Sequence, residues 1–313
     1  MDFRRISWER LQRKYQQESL QEKSEVNTDI PNSSKEDFWF TEYGPTNTSI
    51  SLRVKYKLFE KETPYQKIEI FDSYDYGRVM ALDGFIMLTE KDEFIYHEMI
   101  SHVPLFTHPE PKYILVIGGG DGGAVREILK HKSVEKVELV EIDEEVVNAS
   151  KIYFPQIASC LEDKRVEIKF QDGVEFIKSK KGVYDIVLID SPDPIGPAIG
   201  LFEEDFYKNA FFSLNDSGIL VAQSESPFVF PDLIKRVYSI FKKYFPIVYF
   251  YLANVPTYAS GVISFILGSK KFDPLKNFDP ERVRGFDASF RYYNEKVHLA
   301  SFALPNFFTE LLK

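Results

Sequence analysis

The chain has 313 residues, 44% of them hydrophobic, with 39 Lys and Arg against 48 Asp and Glu, a formal net charge of −9 and a pI near 5.3. That balance argues against nucleic-acid partners, which need clustered cationic side chains, and is compatible with cationic substrates. Cys160 is the single cysteine, so an internal disulfide and a cysteine-based zinc site are excluded, and without an apolar signal core or any apolar run near ~18 residues the sequence reads as soluble and cytoplasmic, with no membrane partner.

In chain order, residues 1–36 form a polar extension with a weak helical stripe of Ile6, Leu11, Tyr15 and Leu20, followed by the linker-like "NTDIPNSSKED". Residues 37–105 read as a small antiparallel β domain with a connecting helix. Its strands are "TSISLRVKYKLFEKET", "QKIEIFDS" and "GRVMALDG". The helix is "DEFIYHEMISHVPLF", expected to stop near Pro104 because proline removes a helix hydrogen bond.

From residue 106 to 313 the pattern alternates strand and helix. "KYILVIG", "VEKVELVEID", "RVEIKFQD", "YDIVLID" and "GILVAQS" are strands. "GAVREILKH", "EEVVNASKIYF", "VEFIKSK", "EEDFYKNAFFSL" and "FPDLIKRVYSIFKKYF" are the helices between and after them. Such alternation predicts an α/β fold with a parallel sheet covered by helices. "IVYFYLA" and "GVISFILGS" lack a helix between them and are expected to pair as an antiparallel hairpin at one edge.

Gly118, Gly120 and Gly123 satisfy G-x-G-x-x-G between a strand and a helix. This pattern fits a nicotinamide enzyme, a nucleoside-binding transferase or a tight strand-to-helix corner. Glu141 ends the next strand, where a carboxylate accepts hydrogen bonds from ribose hydroxyls. Asp172, followed by Gly173, ends the third strand. It suits an adenine amino group, a helix N-cap, or both.

Asp121 separates the candidates. A pyrophosphate at this loop would meet its negative charge at contact distance, at a cost on the order of several kcal/mol if unpaired. A ligand with an ammonium there would be attracted instead. The competing interpretation is a carboxylate tied up by loop N–H groups. In "YDIVLIDSPDPIGPAIGLF" the apolar strand delivers Asp190 to its carboxyl end, where open α/β sheets bind ligands, with Asp193 three residues on. Two acids so placed can bracket a diamine, one holding an ammonium and the other accepting a proton.

These residues resemble the polyamine aminopropyltransferases, best known as spermidine synthases. The pieces run from about Phe38 to the C-terminus and include "GRVMALDG", "DEFIYHEM", "VIGGGDGG", "VELVEID", "DPIGPA", "LFEEDFY", "GILVAQ", "PTY" and "RYYN…H…FALP". The resemblance implies a Rossmann-like, methyltransferase-type sheet with a small N-terminal antiparallel β domain. It implies two small-molecule substrates, an amine and the adenosyl sulfonium decarboxylated S-adenosylmethionine, with no metal and no redox cofactor. The sulfonium is a co-substrate, and its tail ends in an ammonium that would explain Asp121.

By the same resemblance Gln66, Glu141, Asp172, Gly173 and Pro197 contact the nucleoside, and Asp190 is the proton acceptor. Tyr96, His97, Asp193, Gln223 and Tyr258 line the amine channel. Without it, His97 reads as an ordinary surface or core histidine. Assembly as a homodimer or homotetramer is also implied. The expected product is spermidine from putrescine, with methylthioadenosine released. Amine N-methyl transfer from S-adenosylmethionine, nicotinamide redox chemistry and noncatalytic polyamine binding are the alternatives. The chain departs from the family pattern at Ser191, Pro192, Ile199, Gly200, Phe228 and Phe230. Those departures remove one acid and predict a more apolar amine wall.

Overall fold

The computed structural model describes residues 38–44, 46–193 and 196–313. The polar extension and its helical stripe lie outside the described residues. The small sheet is an antiparallel meander of five strands, β1 (Phe38–Tyr43), β2 (Ser49–Glu62), β3 (Lys67–Ser73), β4 (Arg78–Leu82) and β5 (Phe85–Thr89), in sequential order. Glu42 Oε2 accepts the Ile86 N–H at 2.7 Å and so ties the first strand to the last.

Helix α1 (Glu93–Thr107) leads into the large sheet. It does not stop at Pro104. Every residue of α1 except Phe94 is buried, so packing on all sides offsets the hydrogen bond that proline removes. The His108 N–H closes the helix on the Pro104 carbonyl at 2.9 Å.

The large sheet contains β6 (Tyr113–Gly118), β7 (Lys136–Glu141), β8 (Val166–Phe170), β9 (Tyr184–Asp190), β10 (Leu214–Gln223), β11 (Ile247–Ala253) and β12 (Ile263–Ser269). Their order is β11-β12-β10-β9-β6-β7-β8. Strands β6 to β10 run parallel, while β12 pairs antiparallel with β10 and with β11, so the expected edge hairpin forms.

Helices α2 (Gly123–Leu129), α3 (Glu144–Tyr153), α4 (Pro155–Ala158), α5 (Gly173–Lys178), α6 (Glu204–Ser213) and α7 (Pro231–Tyr244) join the strands or pack on them. Three short helices follow, α8 (Pro280–Arg284), α9 (Glu295–Ser301) and α10 (Asn306–Leu311). Strand β9 is buried along its whole length, as a central parallel strand should be. Ile186 and Leu188 enter one core and Val187 and Ile189 the other, on opposite faces of the sheet.

The site depends on one consequence of this order. The sheet direction of travel reverses at β6, whose neighbours are β7 and β9, so a crevice opens at the carboxyl ends of these strands. Gly118, at the end of β6, lies in register with Asp190 at the end of β9. Gly118 has φ +79°, and a Cβ there would fall 2.1 Å from the Asp190 carbonyl oxygen, so glycine is required at this approach.

Candidate active site

One cavity opens at these strand ends. It is lined by Gln66, Tyr96, His97, Gly118, Gly120, Asp121, Glu141, Asp172, Gly173, Asp190, Asp193, Gln223 and Tyr258, all singled out in the sequence. Pro197 falls in the 3-10 turn Gly196–Phe202, and its side chain lies outside the described residues.

On the wall expected to take a nucleoside the carboxylates are held by backbone. Glu141 accepts the Gly120 N–H at 3.1 Å on Oε2 and the Asp143 N–H at 2.9 Å on Oε1. Burial pushes its pKa up to about 7 against the pull of those N–H groups. Asp172 caps α5 by accepting the Val174 N–H at 2.7 Å, so the N-cap role is realised while the residue also lines the cavity. Gln66 donates to Asp143 Oδ2 at 3.1 Å, which joins the small sheet to this wall.

At the glycine loop, Asp121 Oδ1 accepts the Gly123 N–H at 2.7 Å and lies 3.2 Å from His97 Nε2. Both interpretations of Asp121 therefore meet here: a loop N–H holds it, and its side chain still faces the cavity, 16% exposed. His97 is buried rather than on the surface, and it points at Asp121. Nothing in the sequence alone distinguished it from a packing histidine, because the residue it meets is brought up by a different element.

Asp190 accepts the Tyr96 hydroxyl on Oδ1 at 2.7 Å. Its Oδ2 is buried and without a hydrogen-bond partner among the described residues. Burial, and next the charge of Asp121, push its pKa up to about 6, against the opposing influence of His97 and Tyr96. His97, Asp121 and Asp190 converge here, one ring nitrogen and two carboxylate oxygens lying within 4.8 Å of one another.

Farther along the channel, Asp193 hydrogen-bonds Glu225, and burial raises both carboxyls. Glu225 was not anticipated. It stands two residues beyond β10 with φ +62°, a strained conformation for a non-glycine residue. Gln223 holds it there, donating to Glu225 Oε1 and accepting its N–H, each at 2.9 Å. Glu42, from β1, is a second unanticipated acid on the wall, and burial raises its pKa to about 7 despite the Ile86 N–H. The acid missing from the turn after β9 thus has counterparts on other elements.

Tyr258 lies in the loop before β12. Thr257 anchors that loop by giving its N–H and hydroxyl to Asp92 Oδ2, at 3.1 and 2.8 Å. Of the two phenylalanine departures, Phe230 lines the cavity, whereas Phe228 is 62% exposed and packs on Phe307. The apolar-wall expectation is therefore corrected for Phe228: the segment turns its side chain outward.

The sheet order and the crevice at the strand ends define a methyltransferase-type α/β fold, here lined with acids suited to cations. Residues 38–90 match the family model described as the spermidine synthase tetramerisation domain, and residues 93–280 match the spermine/spermidine synthase domain. The chain is 50% identical over 275 residues to a polyamine aminopropyltransferase of Thermoanaerobacter sp. (strain X514), covering 88% of this chain and 98% of that one. It is 47% identical over 277 residues to a polyamine aminopropyltransferase of Shouchella clausii (strain KSM-K16), covering 88% and 100%.

Among solved structures, a spermidine synthase in complex with the transition state analogue AdoDATO superposes with a TM-score of 0.87 at 43% identity, covering 92% of this chain and 99% of that one. The spermidine synthase from Thermotoga maritima gives 0.84 at 42% identity, covering 92% and 98%. The chain belongs to the spermine/spermidine synthase family, and it is an enzyme of the polyamine aminopropyltransferase class. That membership favours the aminopropyltransferase reading over the redox, methyl-transfer and noncatalytic alternatives. No helix among the described residues is long and apolar enough to cross a membrane.

Proposed function

We propose that this enzyme transfers the aminopropyl group of decarboxylated S-adenosylmethionine to putrescine, yielding spermidine and methylthioadenosine. The observation that carries this reading is the buried Oδ2 of Asp190, without a hydrogen-bond partner among the described residues, beside Asp121 at the mouth of the crevice. Glu141, Asp172, Gly173, Gln66 and Pro197 hold the nucleoside, and Gly118 and Gly120 let the loop approach it closely. Asp121 takes the ammonium of the aminopropyl tail. The carboxylated parent would set a second negative charge against the same oxygen atoms.

The amine enters past Asp193, Gln223 and Tyr258. Asp193, Glu225 and Glu42 supply charge for its far ammonium, which favours a diamine over a monoamine. The nitrogen to be alkylated must lose a proton before it has a lone pair. Asp190 accepts that proton on Oδ2, while the Tyr96 hydroxyl fixes Oδ1. A base with a pKa near 6 ionises below neutrality and still holds a proton better than an ordinary aspartate.

The nitrogen lone pair then attacks the methylene next to sulfur, and the C–S bond breaks with its electron pair going to sulfur. Most of the acceleration comes from aligning two cations that repel in water, with fixed carboxylates offsetting the repulsion. The step uses no metal and no redox carrier.

Copies of the chain meet as a homodimer or homotetramer across the small sheet, where Trp39, Tyr43 and Tyr56 on β1 and β2 are exposed aromatics. The test of function is incubation with decarboxylated S-adenosylmethionine and a panel of amines, read by mass spectrometry. A spermidine product, strongest with putrescine, is expected. A methylated product, or no product with any amine, refutes the proposal.

A further inference from the structure

The His97 ring lies between two carboxylates. Nδ1 is 2.6 Å from Glu93 Oε2, one turn back on α1, and Nε2 is 3.2 Å from Asp121 Oδ1. Glu93 is clamped in turn by Arg126 of α2, which donates Nη1 to Oε1 at 2.9 Å and Nη2 to Oε2 at 2.8 Å. Arg126 Nε donates to Glu127 Oε1 at 2.8 Å. The side chains of His97 and Glu93 are each 4% exposed, and that of Arg126 21%. A Cβ at Gly123 would fall 2.2 Å from the His97 ring, so the glycine fingerprint makes room for this histidine as well as for a ligand.

The row alternates in charge: Asp121, His97, Glu93, Arg126, Glu127. Burial disfavours the imidazolium, yet the carboxylates of Asp121 and Glu93 outweigh it and raise the His97 pKa well above its ordinary value. The other groups facing the ring are Asp190 of β9, which favours its charge, and Tyr96 beside it; Arg126, acting from behind Glu93, opposes it.

An ammonium arriving at Asp121 meets this imidazolium as a like charge inside a buried site. One proton has to leave the ring. The Nδ1 proton is held by a 2.6 Å bond to a carboxylate that Arg126 grips with two parallel bonds. The Nε2 proton is held by the longer contact to Asp121, the group for which the ammonium competes. Loss of that proton leaves a lone pair on Nε2 aimed at the place the ammonium takes, and the charge of the cluster is unchanged by the exchange.

We propose that Glu93 and Arg126 are positioning residues that hold His97 in the Nδ1–H form, so that Nε2 trades its proton for the ammonium of the adenosyl donor. Donor binding is then a proton-for-ammonium exchange at one histidine. This rests on the donor assigned above, and it goes beyond it by giving a task to residues that touch no substrate.

Titration calorimetry of the full chain at pH 8, in buffers of differing ionisation enthalpy, counts the protons released. Decarboxylated S-adenosylmethionine should release about one proton per molecule bound. Methylthioadenosine, which shares the nucleoside and lacks the ammonium, should release none. His97→Gln should abolish the release. Glu93→Gln should reduce it and flatten the pH dependence of the donor KM, with kcat for bound donor changed by less than about threefold. Arg126→Lys, which keeps the charge and loses the fork, should restore part of the wild-type pH profile relative to Arg126→Gln.

The wild-type count alone can overturn the exchange, whether or not a variant folds, and loss of the release in His97→Gln assigns it to the ring. No release by the donor, or equal release by methylthioadenosine, overturns the proposal. Wild-type release and pH profile in Glu93→Gln overturn the positioning role. If the donor binds and aminopropyl transfer proceeds without proton release, only this inference fails. If the donor does not bind, the functional reading fails with it.

Discussion

The two ends of the cavity are built by different means. At the end proposed for the nucleoside Glu141 and Asp172 are fixed by backbone N–H groups, and Gly120 clears space beside Glu141. Their geometry is complete before a ligand arrives. At the end proposed for the amine Asp190 keeps one oxygen without a partner among the described residues, Asp193 leans on Glu225, and Glu42 is brought in by another sheet. Burial raises the pKa of all four acids. Glu141 shares that rise, so the two ends differ in what holds their acids rather than in charge.

The sharpest break between the ends should come from Asp190→Asn. Loss of the proton acceptor should lower kcat by on the order of 10²–10⁴, while donor affinity by calorimetry stays within several-fold of wild type. Turnover near the wild-type rate in the folded variant would remove Asp190 from the mechanism. Asp121→Asn comes next. Donor affinity should fall on the order of 10–100-fold, the worth of a charged hydrogen bond, and discrimination against S-adenosylmethionine should fall with it. Equal binding of both sulfoniums by the wild type would contradict the charge argument.

The pH profile sharpens the same contrast. The proposed role of Asp190 needs its carboxylate, so kcat/KM for the amine should rise through pH about 6 and lose about tenfold per unit below it. A rate that stays flat down to pH 5 would count against it. Glu225→Gln and Glu42→Gln should each raise the amine KM by roughly three- to tenfold, from loss of a partly screened charge contact, and leave the donor KM unchanged. The smallest effect belongs to Phe228→Ala. An exposed side chain off the cavity wall should change stability by about 0.5 kcal/mol or less and leave the amine KM alone, whereas Phe230→Ala should alter it.

The nucleoside end was legible in the sequence because it depends on local features: a glycine run after an apolar strand, and acids at strand tips. The amine end was legible only in part. Asp190 and Asp193 follow the strand-tip rule. Glu225 also stands just past a strand, in "AQSES", and the same rule would have found it. Glu42 carries no such signal, because only the curl that brings β1 against β5 delivers it to the cavity. The role of His97 was hidden for a similar reason, since its partner Asp121 belongs to a loop from another element.

The strands β1 and β5 were not singled out as separate elements in the sequence. The stop expected at Pro104 gave way to burial of the whole helix. Glu98, beside His97, shows the opposite outcome for an inward-facing acid. It accepts the N–H groups of Arg291, Tyr292 and Tyr293 and pins the C-terminal segment to α1.

The bond from Ile86 to Glu42 has a further consequence. It makes the leading strand of the meander part of the cavity wall, on a segment remote in the chain from the glycine loop. Under the proposed function, substitutions along that strand should retune which polyamine is accepted and leave recognition of the sulfonium as it was.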